Sequence, residues 1–322
     1  MKVFIAGGSG AVGRQLVTAL VAKGHAVVAT TTKRANAPVL EGRGARPVVL
    51  DLLDGEAVLR AVADARPDVV VHEATALAGP LSLRRFDASF AQTNRLRTEG
   101  TDNLLAAAIA AGATRFVAQS FTGFTNARVG GPVKTEDDPL DADPPAAARK
   151  TLAAIRSLEA AVAGAKGLDG VVLRYGAFYG PGTSLGAGGE VLEAVRRGKL
   201  PLVGEGTGVW SFVHVRDAAE ATVAAVEGRG AGLLNVVDDD PAPVATWLPY
   251  LARVLGAKPP RRVPVWVARL LVGEQGVAMM TEMRGSSNAR AKRELGWQPG
   301  FASWRDGFAA GLVEAPEARR AA

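Results

Sequence analysis

The first 175 residues alternate short β-branched runs with longer Ala- and Leu-rich segments. The runs Val3–Ala6, Ala26–Thr31, Pro47–Asp51, Asp68–Ala74, Arg115–Ser120 and Gly170–Tyr175 are predicted strands. Val69-Val70-Val71 and Val171-Val172-Leu173 are apolar throughout rather than alternating, as in strands buried on both faces. Helical patterns lie between them at 11–23, 55–65, 88–111 and 146–163. This alternation predicts an α/β chain with a doubly wound parallel sheet of the Rossmann kind over residues 1–175. From residue 176 the chain turns richer in Gly, Pro and Trp, and its elements become shorter. Residues 176–322 are therefore expected to form a smaller C-terminal substrate lobe. A segment at about 210–237 is expected to return to the first domain, with Gly232–Val237 as a further sheet strand.

Composition narrows the class. Apolar residues at 48% and charged residues at 22% suffice for a large globular core. The formal charge of +6 is spread out, with no block of five or six basic residues and no interleaved aromatics. That argues against nucleic acid and suits an anionic small molecule. With no cysteine, disulfides, thiol nucleophiles and thiolate metal sites are excluded. His25, His72 and His214 show no metal-ligand spacing, so no metal is expected. The apolar run after Met1 and Lys2 ends at Gly7, too short for a signal peptide. The most apolar stretch, 263–280, carries Arg269 and Glu274 and does not read as a membrane span. A cytoplasmic protein with neither membrane nor nucleic-acid partner is expected, and a homodimer is compatible with this reading.

Gly7, Gly10 and Gly13 form a G-x-x-G-x-x-G turn directly after the first strand and at the start of a helix. With Ser9, Ala11, Val12 and Arg14, this turn presents backbone N–H groups and a helix N-terminus to a pyrophosphate. At the end of the second strand, NAD-selective folds place a carboxylate on the ribose 2′-hydroxyl. Here that position is Thr31, followed by Thr32, Lys33 and Arg34. Two hydroxyls and two cations suit a 2′-phosphate, with Arg34 able to bind it bidentately and Arg14 adding a third cation. NADP(H) is favoured over NAD(H).

Further motifs follow in order: Asp51-Leu52, Val71-His72-Glu73-Ala74, Gly100-Thr101-x-Asn103-Leu104-Leu105, Leu173-Arg174-Tyr175-Gly176-Ala177-Phe178-Tyr179-Gly180-Pro181-Gly182, Phe212-Val213-His214-Val215-Arg216-Asp217 and Lys292-Arg293-Glu294-Leu295-Gly296-Trp297-Gln298-Pro299. Together they resemble the extended short-chain dehydrogenase/reductase family, of nucleotide-sugar epimerase/dehydratase type. The resemblance implies that Asp51 and Leu52 meet the adenine. It implies that Glu73, Ala74 and Thr75 line the diphosphate and ribose, that Asn94 joins the cofactor site, and that Tyr175, Gly176 and Phe178 border the nicotinamide. Asp51 serves equally well to cap the next turn, and Ala74 to pack the strand. His72 and His214 read as structural hydrogen-bonders.

The family's acid is a Tyr with a Lys four residues later, one helical turn apart on one face, the Lys lowering the phenol pKa. None of Tyr175, Tyr179 and Tyr250 has such a Lys. Aligning on Glu159 puts Thr151 in the Tyr slot and Ile155 in the Lys slot. Aligning on Lys150 puts Ala146 in the Tyr slot and turns the face away. Ser120 matches the family's substrate-orienting hydroxyl, though a Ser there also closes a strand on local backbone. Thr122 and Tyr179 are the other candidate catalytic groups. Where nucleotide-sugar members carry an Arg two residues before the Phe of Phe212-Val213-His214, this chain has Trp210, an apolar face that cannot neutralise phosphate. The expected activity is an atypical NADP(H)-dependent oxidoreductase on a small carbonyl or hydroxyl compound that is not a nucleotide sugar. The alternatives are a non-redox epimerase, isomerase or lyase on the same scaffold, and an NADP(H)-sensing or binding protein that has lost catalysis.

Overall fold

The structure, a computed structural model, describes residues 1–77 and 81–312, so the lobe assigned to 176–322 is described as far as residue 312. The principal strands are β1 (Lys2–Ala6), β2 (Ala26–Thr31), β3 (Arg46–Val49), β4 (Val69–His72), β5 (Arg115–Phe121), β6 (Asp169–Tyr175) and β7 (Gly232–Val236). They form one seven-stranded sheet in the order β7-β6-β5-β4-β1-β2-β3, with every neighbouring pair parallel. The longer helices are α1 (Ala11–Ala22), α2 (Gly55–Ala65), α3 (Thr101–Ala110), α4 (Arg149–Gly164), α5 (Val215–Val226), α6 (Val244–Val254) and α7 (Val265–Thr281). None of the described helices is long and apolar enough to cross a membrane. The chain winds outward from β1 to β3 and then crosses back to β4, which opens a crevice at the carboxyl ends of β1 and β4.

Two predicted strands end early for local reasons. β3 stops before Asp51, whose carboxylate accepts from the Leu53 N–H at 3.0 Å and turns the chain. β4 ends at His72 because the next-but-one N–H, that of Ala74, donates to the imidazole Nδ1 of His72 itself at 3.3 Å. The single helix expected over 88–111 is instead broken into Phe86–Ser89, Ala91–Arg95, a π turn at Leu96–Gly100, and α3. Thr98 Oγ1 donates to Asn94 O at 3.1 Å, competing for the carbonyl that a regular turn would use.

Both sheet faces are covered, as the apolar strands require. On one face Leu16, Val17 and Leu20 of α1 and Ala218, Ala221 and Ala225 of α5 pack on Val3, Ile5, Val71 and Leu173. On the other, α2, α3 and α4 bring Val58, Leu104, Leu105 and Leu158 against Phe4, Val70 and Phe116. The C-terminal lobe has its own cluster, in which Trp247, Leu251, Trp304 and Phe308 surround Phe212 and Tyr179. Leu16 is wholly buried and fixes α1, hence the glycine turn, onto the sheet. Leu16→Ala should lower stability by about 2–5 kcal/mol in denaturant unfolding, the cost of a large-to-small change in a packed core.

Candidate cofactor and active site

The turn between β1 and α1 is shaped by contacts that exclude side chains. Gly7 has φ +91°, and a Cβ there would lie 2.7 Å from both N and Cα of Ala74. A Cβ on Gly13 would lie 2.3 Å from Gly7 O. The turn closes with Gly10 N–H donating to Gly7 O at 3.0 Å. Gly10 caps α1 without a side chain, and no acidic residue occupies the first helical turn. The N–H groups that open α1 thus have no capping group, and the residues present fit a diphosphate. The Arg14 guanidinium lies against the Gly180-Pro181-Gly182 turn, 3.1 Å from where a Gly182 Cβ would sit.

At the end of β2, Ser9 Oγ donates to Thr31 Oγ1 at 3.1 Å, and Thr31 Oγ1 accepts from Lys33 N–H at 3.2 Å. Thr32, Lys33 and Arg34 are exposed beside them. Asp51 is exposed, and Leu52 is buried with its carbonyl accepting from Asn103 Nδ2 at 2.9 Å. The backbone of Glu73 and Ala74 abuts Gly7, and Thr75 is exposed just beyond. Gly176 is a crossing point, where a Cβ would meet Ser211 O at 2.5 Å. Phe178 is half-buried, with its ring 5.2 Å from that of Tyr175. Tyr175 itself points into the core between the sheet and α5 and is wholly buried.

The slot aligned with the family's Tyr holds an engaged hydroxyl. Thr151 Oγ1 donates to Asp87 Oδ1 at 2.7 Å and accepts from Asn94 Nδ2 at 3.1 Å. Asp87 also accepts from the N–H groups of Lys150 at 3.0 Å and Thr151 at 2.8 Å, capping the start of α4. One turn on, Ile155 is completely buried. Ser120 Oγ donates to Glu159 Oε1 at 2.7 Å, and Glu159 holds Arg174 through bonds of 2.7 and 2.6 Å. Thr122 Oγ1 lies 2.6 Å from Ser286 Oγ and donates to Asn126 Oδ1 at 3.2 Å. Tyr179 lies apart from these groups. It is buried in the C-terminal lobe, edge-on to Phe308 and His214, and its hydroxyl has no partner among the described residues. Burial, then the charges of Asp238, Asp217 and Asp306, push its phenol far above the usual range. Trp210 also belongs to that lobe, stacking on Phe212 while its indole N–H donates to Met279 O at 2.9 Å.

Glu73, placed at the cofactor site from sequence, turns its side chain inward. The Tyr175 hydroxyl lies 2.9 Å from Glu73 Oε1 and 2.6 Å from Thr222 Oγ1, and Thr222 donates to Ala218 O at 2.7 Å. Tyr175 donates to Glu73 in this row, and Glu73 Oε2 has no partner among the described residues. Burial pushes the Glu73 carboxyl up to about 8, against the weaker lowering by Tyr175. Its neighbour His72 is held neutral, with burial drawing its pKa down to about 4. Among the described residues no group of acidic or imidazole side chains could hold a metal.

Some of this was invisible in the sequence. Asp87 lies 64 residues from Thr151, and nothing local marks the pairing. Arg97, on the π turn, is buried where a helix face should be apolar, which is a readable signal. Phe121 and Phe124, stacked at 4.9 Å beyond Ser120, form an aromatic wall at the carboxyl end of β5.

Residues 3–236 match the sequence model of the NAD dependent epimerase/dehydratase family. A Streptomyces protein named 3-diazoavenalumate denitrifying reductase is 50% identical over 311 residues, 96% of this chain and 99% of the relative. The 2-alkyl-3-oxoalkanoate reductase of Stenotrophomonas maltophilia is 33% identical, over 80% of this chain and 76% of the relative. Among solved structures, the Thermus thermophilus UDP-glucose 4-epimerase complex with NAD superposes with a TM-score of 0.73 at 26% identity, covering 97% of this chain and 98% of that one. Human epimerase family protein SDR39U1 with NADPH gives 0.74 at 23% identity, covering 97% and 99%, a likeness of fold.

The neutral Glu73 has a consequence for stability. The unfolded chain releases this proton near the ordinary 4.5, the folded chain near 8. Between those values the folded form holds the extra proton, so stability falls as pH rises. His72, with its folded pKa lowered, acts only below about 6.5, while Asp238 and Glu220, also raised by burial, add to the fall that Glu73 gives. Glu73→Gln should flatten the fall in thermal midpoint between roughly pH 6.5 and 8.5. An unchanged slope would show that Glu73 binds its proton no more tightly in the fold than in the unfolded chain.

Proposed function

The chain belongs to the NAD dependent epimerase/dehydratase family, and from that premise we propose that it is an NADP(H)-dependent reductase of a small molecule other than a nucleotide sugar. In this reading it passes hydride to an acceptor that takes no proton from the protein. The observation that carries this is the state of the acid slots. Thr151 is locked between Asp87 and Asn94, and Ile155 offers no charge. Ser120 is spoken for by Glu159, so a proton for the substrate comes from water or from the substrate itself.

Bound at the glycine turn, the nicotinamide cofactor supplies the hydride. The chain's residues hold and orient it: Gly7 to Arg14 the diphosphate, and Thr31, Thr32, Lys33 and Arg34 the 2′-phosphate. Asp51 and Leu52 take the adenine, and Glu73, Ala74, Thr75, Asn94, Gly176 and Phe178 surround the remainder, with Tyr175 bracing Glu73 from below.

The relative at 50% identity is named for denitrification of a diazo compound, and that class of acceptor suits a site without an acid. An arenediazonium takes hydride at its terminal nitrogen, and the resulting aryldiazene gives its N–H proton to water, loses N2 and takes a proton back at carbon. Ar–N2⁺ and hydride become Ar–H and N2, with no proton taken up. Ketone reduction is the second reading, favoured by the 2-alkyl-3-oxoalkanoate reductase relative, and it requires one proton from water.

With NADPH and an arenediazonium, the protein should release one N2 and form one arene per NADPH oxidised, above the protein-free rate. A matched aryl ketone reduced faster would favour the second reading, and turnover of neither would refute reductase activity. Thr151→Val should keep turnover within a few-fold, whereas a loss of about 100-fold with folding intact would make Thr151 a participant. Arg34→Ala should weaken NADP(H) more than NAD(H), by about 1–3 kcal/mol in calorimetry. Equal affinity of the unmutated protein for both cofactors would overturn the NADP(H) assignment.

A further inference from the structure

Gln275, in α7, is buried without a use in the fold. It is 2% exposed, and its side-chain amide makes no hydrogen bond among the described residues. An amide carries an acceptor oxygen and two N–H donors, and a buried one normally pairs them. Gln275 instead lines a small pocket, together with Phe124, Pro145, Met279 and Met283. Its free volume is about 10 Å³, room for roughly one water-sized group.

Both walls of the pocket are fixed from behind. Gly273, with φ +74°, breaks α7, and Gln275 opens the half that follows. That half is tied to the C-terminal lobe. Trp210 Nε1 donates to Met279 O at 2.9 Å, and the N–H groups of Gly208 and Val209 donate to Met280 O and Met283 O at 3.0 and 2.8 Å. The opposite wall is the loop that leaves β5, where a Cβ on Gly123 would lie 3.2 Å from Met283 Cε. Phe124 of that loop stacks on Phe121 at 4.9 Å and lies edge-on to Phe86 at 5.1 Å, and Phe86 stacks on Phe90 at 4.5 Å. Because the sheet is parallel throughout, this loop emerges at the same end as the glycine turn.

Asn126, Arg128 and Asp141 also line the pocket, and all three are engaged. Arg128 donates to Asp141 Oδ2 at 2.8 Å, Glu282 Oε2 at 2.5 Å and Asp143 O at 2.7 Å. Asn126 accepts from Thr122 and donates to Arg284 O, Gly285 O and Ser286 Oγ. The charges present are thus paired, and an ionised group would enter without a counter-charge. A neutral hydroxyl donates and accepts through a single oxygen, which matches both ends of the Gln275 amide and the space available. The unbranched thioethers of Met279 and Met283 can yield to the apolar body behind it.

We infer that this pocket is a binding subsite for the neutral hydroxyl end of an apolar molecule, a phenol or an alcohol, with Gln275 as its polar contact. Holding such a molecule does not require that it also be reduced, so the subsite stands apart from the reductase reading.

Binding of 4-fluorophenol and 4-fluorotoluene, which are alike in shape and differ in the hydroxyl, tests the inference by fluorine NMR titration of the full chain. The phenol should bind about three- to tenfold more tightly, the worth of one hydrogen bond. Gln275→Met, apolar and of similar length, should bring the two within about twofold, and Gln275→Glu should keep part of the preference. The thermal midpoint of Gln275→Met should hold or rise, since the fold makes no bond to this amide. Saturating NADP(H) should leave the preference in place. No preference in the unmutated protein would overturn the inference, as would a preference that survives Gln275→Met. So would a collapse of the midpoint, which makes Gln275 structural, or displacement of the phenol by NADP(H), which puts it in the cofactor site. Turnover is not involved, so failure of the reductase reading shows separately, as no acceptor consumed by a protein that still prefers the phenol.

Discussion

The close approach of the β1–α1 turn to the end of β4 is the constraint on which the site depends. Gly7 leaves no space for a Cβ against Ala74, and Gly13 leaves none against Gly7 itself. Because the turn is this tight, α1 begins with its N–H groups facing the switch point of the sheet. The buried Leu16, Val17 and Leu20 then hold the helix on its face. The same approach presses the backbone of Glu73 against Gly7 and sends its carboxyl inward toward Tyr175. A side chain at either glycine would disturb the anion cradle and the proton chain together.

The polar groups around the crevice are nearly all tied down, which limits what the protein can do chemically. Asp87 immobilises Thr151, Glu159 immobilises Ser120, and Ser286 with Asn126 occupies Thr122. A hydroxyl held by a carboxylate donates its one hydrogen there and has none for a substrate. On the reductase reading proposed above, such a site positions rather than protonates, and transfer of hydride to a sufficiently electrophilic centre is the chemistry that suits it.

The fold was legible because the signals were local. The runs of Val and Leu that mark β4 and β6, and the glycine spacing after β1, each decide an element from within a few residues. The breaks were less so. The expected 88–111 helix is interrupted by a back-bonding Thr98 and a π turn, small local preferences that periodicity does not register. At the site, the sequence located the missing Tyr-x-x-x-Lys pair but not what replaced it. Asp87 reaches Thr151 across 64 residues, and the four phenylalanines touch only after β5 and the 86–90 segment are brought side by side. Contacts of that kind come from tertiary packing and leave no spacing to read.

The electrostatics of the crevice lean one way. Arg14 stands at the cradle and Lys33 and Arg34 beyond β2, with the exposed carboxylate of Asp51 beyond β3. The buried acids nearby are engaged by different means, Glu159 by Arg174 and Asp87 by backbone N–H groups, while burial pushes the Glu73 carboxyl up to about 8. An ionised Glu73 would place a buried negative charge under the turn proposed to receive a diphosphate, and low-dielectric surroundings would make that repulsion long-ranged.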